Sequence, residues 1–141
     1  PAGTTYITQT TLVKGYSNKL VEDTFPTAGS GTTGTGWTGG WVEIGESDGF
    51  GSGDIQVTAG ALRIRDNDNG GEGVYREVDL TGFTSTWLSL NYTNFGLNNA
   101  NEDVFLEVST NDGSTWTRLY TWNKSWWITK LPTFANDLQQ G

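Results

Sequence analysis

The chain has 141 residues and no Cys, His or Met, and its eight Lys and Arg against sixteen Asp and Glu give a net charge of −8. An acidic surface without a basic cluster repels phosphate backbones and anionic headgroups, which excludes nucleic acid and membrane insertion from the expected partners and favours divalent cations. The missing Cys and His remove disulfides, thiolate metal sites, the commonest general base and the commonest zinc ligand, and no apolar run approaches the ~20 residues that span a bilayer.

Twenty glycines and few helix formers favour short strands joined by polar turns. Residues 1–20 read as an N-terminal arm or linker strand, with alternation from Tyr6 to Val13, and residues 21–141 read as one domain. A start at Pro1 without Met is taken as the mark of a processed or excised chain, hence of secretion. Val21 to Phe25 is a short strand, and the Gly- and Thr-rich stretch 26–40 is expected to be the most flexible part of the chain. Trp37 and Trp41 lead into a strand ending at Ile44, and 45–53 is a turn. Ile55 and Val57 alternate with polar residues, and Leu62 and Ile64 do so with Arg63 and Arg65 on the opposite face. After a second turn at 66–73, Val74, Val78 and Leu80 share a strand face with Arg76, which needs an acidic partner, with Glu43, Glu77 and Glu107 as candidates. Leu88, Leu90 and Tyr92 mark the next strand, 94–102 is an Asn-rich loop, and Val104, Leu106 and Val108 alternate cleanly. A turn at Asn111-Asp112-Gly113 precedes a strand from Trp116 to Trp122, and Trp126 to Lys130 is the last strand expected. About nine strands at this spacing predict an antiparallel β-sandwich or barrel, and no stretch keeps a helical period.

Two constellations carry chemistry. Glu46, Asp48 and Asp54 surround one Gly-rich turn, and Asp66, Asp68 and Glu72 surround the next. Calcium takes six to eight oxygens from carboxylates and carbonyls on bent loops, so both turns are candidate calcium sites; the competing reading is solvated acidic turns. Trp116, Tyr120 and Trp122 fall on one strand face with Arg118 between them, and Trp126 and Trp127 follow. Flat aromatics along a face stack on sugar rings while Arg118 bonds hydroxyls; the competing reading places these rings in the core. No nucleophile elbow, P-loop or paired-carboxylate signature singles out a catalytic group, so the chain is not expected to be an enzyme.

The blocks EDTF at 22–25, W-x-x-x-W-x-E-I at 37–44, GDIQV at 53–57, LRIR at 62–65, VYREVDLTG at 74–82 and VFLEVSTNDGSTWTRL at 104–119 resemble a jelly-roll family of large bacterial surface and secreted proteins, similar to MAM-like and galactose-binding-like sandwiches. The resemblance implies an antiparallel jelly-roll β-sandwich and a structural calcium. It also implies closing strands beyond Gly141, so the domain is expected either to be an excised piece or to be completed by another chain, with residues 1–15 as a donor strand. The expected function is a non-catalytic structural or adhesive module of an extracellular or cell-surface protein. A carbohydrate-binding module and a filament subunit joined by strand exchange are the alternatives. The partners would then be a surface or matrix glycan or protein, or neighbouring copies of the chain.

Overall fold

Alternation of apolar and polar residues builds this fold, a computed structural model that describes residues 4–14, 20–65, 71–83, 86–95, 97, 102–122 and 133–136. Among them are ten strands and no helix: β1 (Thr4–Lys14), β2 (Leu20–Asp23), β3 (Val42–Ile44), β4 (Ile55–Thr58), β5 (Ala61–Arg65), β6 (Gly73–Tyr75), β7 (Thr86–Phe95), β8 (Val104–Val108), β9 (Thr117–Trp122) and β10 (Thr133–Asn136). All strand pairs are antiparallel. The chain is thus all-β, made of small antiparallel sheets.

The largest sheet has six strands in the order β10-β7-β1-β5-β4, with β2 also on β1. β7 runs along one edge of β1 from Thr4 to Lys14, with a register shift between Ile7 and Gln9. The other edge of β1 is shared end to end, by β5 against Thr4–Ile7 and by β2 against Thr10–Val13. The strand expected over Tyr6–Val13 is therefore present, but it lies inside its own sheet rather than projecting as an arm. The free edge of β4 is closed locally: Val57 N–H donates to the Phe50 carbonyl at 2.9 Å and Gly29 N–H donates to the Val57 carbonyl at 2.7 Å. Such capping removes unpaired edge groups that would otherwise recruit another strand.

Two two-stranded ribbons, β3–β6 and β8–β9, complete the described structure. Ile7, Ile55, Val57, Leu62, Leu90 and Tyr92 of the large sheet form one buried cluster with Phe25, Leu97 and Trp122. Val74 of β6 and Val104 and Leu106 of β8 pack against it. The ribbons hold their place through these inward positions, since two strands alone are marginal in water. No helix among the described residues is long and apolar enough to cross a membrane.

Three expectations need correction. The strand expected over Val74–Leu80 is paired as a ribbon only at Gly73–Tyr75; 76–80 keep the alternation that puts Arg76, Val78 and Leu80 on the side of Val74, and the Thr38 N–H donates to the Glu77 carbonyl at 3.1 Å. The stretch 26–40 is pinned rather than loose. Glu22 and Thr35 form a two-way backbone bridge at 3.0 and 2.7 Å, and Trp41 N–H donates to the Gly31 carbonyl at 2.7 Å. A short strand is found at Thr133–Asn136, where none was expected; the strand expected over Trp126–Lys130 lies outside the described residues.

Candidate functional site

The pivot of the molecule is Asp23. Val21 and Asp23 point inward by alternation along β2, Phe25 follows two residues on, and all three are buried. Burying a carboxylate requires a full set of donors. Asp23 Oδ1 accepts the Phe25 N–H and the Thr33 hydroxyl, each at 2.8 Å. Oδ2 accepts Trp41 Nε1–H at 3.0 Å and an Arg76 Nη1–H at 2.7 Å. The first of these bonds stabilises Phe25 in the left-handed region, at φ 53°, where non-glycine residues are uncommon.

Arg76 is the acid's counterpart, with a side chain 4% exposed against 0% for Asp23. Its Nε–H donates to the Gly39 carbonyl at 2.7 Å, and its guanidinium lies 4.9 Å from the Trp37 ring centre and 5.6 Å from that of Trp41. Desolvation by burial lowers the Arg76 pKa from its ordinary value, and the Asp23 charge and hydrogen bond oppose that shift. The expectation that Arg76 is buried and paired holds. Its partner is Asp23, not Glu43, Glu77 or Glu107. The burial of Asp23, though not its pairing with Arg76, was legible in the sequence: Asp23 alternates with two apolar residues, so the periodicity that turns them inward turns it inward too.

Just beyond this clamp, β3 carries Glu43 toward the turn 45–53. The carboxylates of Glu43, Glu46 and Asp48 each bring an oxygen within 4.8 Å of the others. Glu46 is fixed by the Asp54 N–H, which donates to Oε2 at 2.9 Å, and by the Ile55 N–H, which donates to Oε1 at 2.5 Å. Glu43 Oε2 accepts the Gly49 N–H at 3.1 Å, while its other oxygen is buried without a partner. Gly53 sits under the cluster at φ 73°, where a Cβ would come within 2.6 Å of both Asp48 oxygens. Among the described residues no Lys or Arg forms an ion pair with these three acids.

Of the acids that the sequence places around the two candidate calcium turns, Glu46 and Asp48 fall in this cluster. Asp54 faces away and pairs with Arg65 Nη2 at 3.6 Å. Glu72 lies beside the turn through its backbone, near Gly45, and its carboxylate is outside the group. Asp66 and Asp68 lie outside the described residues. Glu43 was missed because it stands in a strand, not in an acidic turn.

The expected aromatic face divides. Leu106 pairs with Tyr120 and Glu107 with Arg118, so β9 carries one extra residue, Leu119, at a bulge. A bulge changes which side chains share a face. Tyr120 and Trp122 therefore share the side of Leu106 and Val104, while Arg118 sits on the opposite side. There it bonds Glu107 at 3.1 Å and covers the Phe105 ring at 3.4 Å. Trp122 is 4% exposed. Its ring centre lies 5.0 Å from that of Tyr92 and 5.1 Å from that of Tyr120, which joins the β8–β9 ribbon to the large sheet. Burial raises the Tyr92 pKa from its ordinary value. Trp122 is thus core, not ligand face. Trp116 is exposed and meets Tyr75 edge-on, with ring centres 6.3 Å apart. Trp126 and Trp127 lie outside the described residues.

No family model, curated protein or solved structure matches this chain.

Proposed function

We propose that this chain is a non-catalytic β module of a secreted or cell-surface protein, a jelly-roll sandwich in kind, stabilised by a divalent cation and working by rigid presentation and contact. The observation that carries the reading is the Glu43–Glu46–Asp48 group: three converging carboxylates without a basic partner among the described residues, one of whose oxygens is buried and unbonded. Uncompensated carboxylates at this spacing repel one another, and a cation relieves the repulsion. An all-oxygen donor set on a bent, Gly-rich turn suits calcium better than zinc or copper. The resemblance to bacterial surface sandwiches and the net charge of −8 agree with an extracellular setting. Assembly into filaments by strand exchange has less support, because β1 is already paired along both edges within its own chain.

The test is a thermal melt of the purified chain with calcium, with magnesium and with EDTA, repeated on Glu43→Gln. A ligand that binds only the folded state at 100 times its Kd adds about 2.7 kcal/mol. For 141 residues that is a rise of ~9 °C. The rise is expected with calcium, to a smaller degree with magnesium, and not in Glu43→Gln. Coincident melts in calcium and EDTA would reject the cation.

A further inference from the structure

The outer face of the β3–β6 ribbon is apolar and open. Val42 pairs directly with Tyr75, and Ile44 pairs with Gly73, so Val42, Ile44 and Tyr75 project from one face. Each is between 39% and 44% exposed, and Trp116 beside them is 43% exposed. The Tyr75 and Trp116 rings meet at 65°, making a corner with two aromatic walls.

Trp116 directly follows a hydrogen-bonded turn and packs against it. Its indole fills the space beside Gly113, where a Cβ would be 3.4 Å from Cζ2. That turn is bound internally. Ser109 Oγ accepts the N–H of Asn111 at 3.3 Å and of Gly113 at 2.9 Å, and Asn111 Oδ1 accepts the Thr115 N–H at 2.9 Å. A ring already packed against its neighbours loses less entropy than a free one when a ligand stacks on it.

We infer that the Tyr75–Trp116 corner, flanked by Val42 and Ile44, is a stacking site for a ring of a neutral saccharide. Three observations select that occupant. The four side chains offer on the order of 300–400 Å² of surface, about half of the ~800 Å² per partner of a stable protein interface, so a second copy or a protein partner would need as much again from the polar residues around the corner, which a single sugar ring does not. No member of the corner is charged and the chain carries −8, so an anionic ligand is disfavoured. The face is an open ribbon surface rather than an enclosed pocket, whereas small apolar ligands need most of their surface covered. A sugar ring suits an open corner: its C–H face lies on the aromatic walls and its hydroxyls stay in water. The site uses neither Arg118 nor Trp122 and stands apart from the cation proposed above, so each can fail alone.

The experiment is isothermal titration of the purified chain with soluble neutral oligosaccharides of glucose, xylose, mannose and galactose, and with an anionic polyuronate. Tyr75→Ala, Trp116→Ala and Trp87→Ala are run beside it, with circular dichroism to verify folding. Trp87 is the control because it is 46% exposed on a different sheet. At least one neutral oligosaccharide is expected to bind, with and without EDTA. Trp116→Ala and Tyr75→Ala should each weaken it at least about tenfold, and Trp87→Ala should leave it unchanged. The inference is overturned if no neutral oligosaccharide binds, if only the polyuronate binds, or if folded Trp116→Ala and Tyr75→Ala bind as the parent does. Self-association of the parent that Trp116→Ala abolishes would equally overturn it, in favour of a second copy at this face.

Discussion

Removing Arg76 is the most informative single perturbation. Arg76→Ala strands the Asp23 carboxylate at zero exposure, with three donors remaining and no counter-charge. Breaking one side of a buried ion pair costs about 3–5 kcal/mol. With an unfolding entropy of ~0.3 kcal/mol/K for a chain of this length, the melting temperature should fall by ~10–17 °C. The usual remedy for a buried pair, replacing both members by apolar residues, should work poorly here. Asp23→Leu/Arg76→Met leaves the Phe25 N–H, the Thr33 hydroxyl and Trp41 Nε1–H without their acceptor, at about 1–3 kcal/mol for each group that water cannot reach. The double variant is therefore expected to remain at least ~2 kcal/mol below the parent. Urea melts followed by tryptophan fluorescence give these numbers, and a salt series separates the cause. A buried pair is shielded from counter-ions, so the loss should persist in concentrated NaCl. A loss under ~1 kcal/mol, or one that vanishes at high salt, would mean that the pair behaves as a solvated surface contact.

Two further outcomes follow from the aromatic residues. Trp122→Ala empties a site packed between Tyr92 and Tyr120 and should cost about 3–5 kcal/mol, while Trp87→Ala should stay within ~0.5 kcal/mol in the same urea melts. Tyr92 sets an alkaline limit. Its pKa is raised from 10.0, so the unfolded chain loses the proton first; the contribution is fully present below pH 10 and is lost as pH rises through the folded value. Stability measured from pH 9 to 11 should fall less steeply in Tyr92→Phe than in the parent.

The strands were largely legible because each needs only a period of two. Leu62 and Ile64 join the core while Arg65 is exposed and Arg63, on the other face, is half-buried against Gln56, and Val104, Leu106 and Val108 alternate with more exposed neighbours as the pattern requires. The bulge at Leu119 was not legible. Nothing in Thr-Arg-Leu-Tyr-Thr-Trp announces an extra residue, and one such residue moves Arg118 away from Tyr120 and Trp122. Partners far apart in sequence were also hidden. Arg76 demands an acid, but only the fold brings it to Asp23, 53 positions earlier. The acidic turn at 45–53 was found in outline. Its third member was misassigned, since Asp54 has Arg65 as a partner while Glu43 reaches the turn from β3.

The Asp23–Arg76 clamp also explains how so short a ribbon can present two different surfaces. β3 and β6 have three residues each, too few to stand alone. Trp41 is the residue before β3 and Arg76 the residue after β6, and both bond the same Asp23 oxygen. The clamp thus grips the ribbon at the end where Val42 faces Tyr75 and fixes which way each side chain points. Glu43 and Val74 then face inward, one toward the acidic cluster and the other toward the core, while Val42, Ile44 and Tyr75 face outward. If the ribbon slipped by one residue, these faces would exchange, placing a carboxylate in the aromatic corner and apolar side chains in the acidic cluster. The buried pair thus ties the two strands together at the Val42–Tyr75 end, where a slip of one residue would have to break both bonds to Asp23.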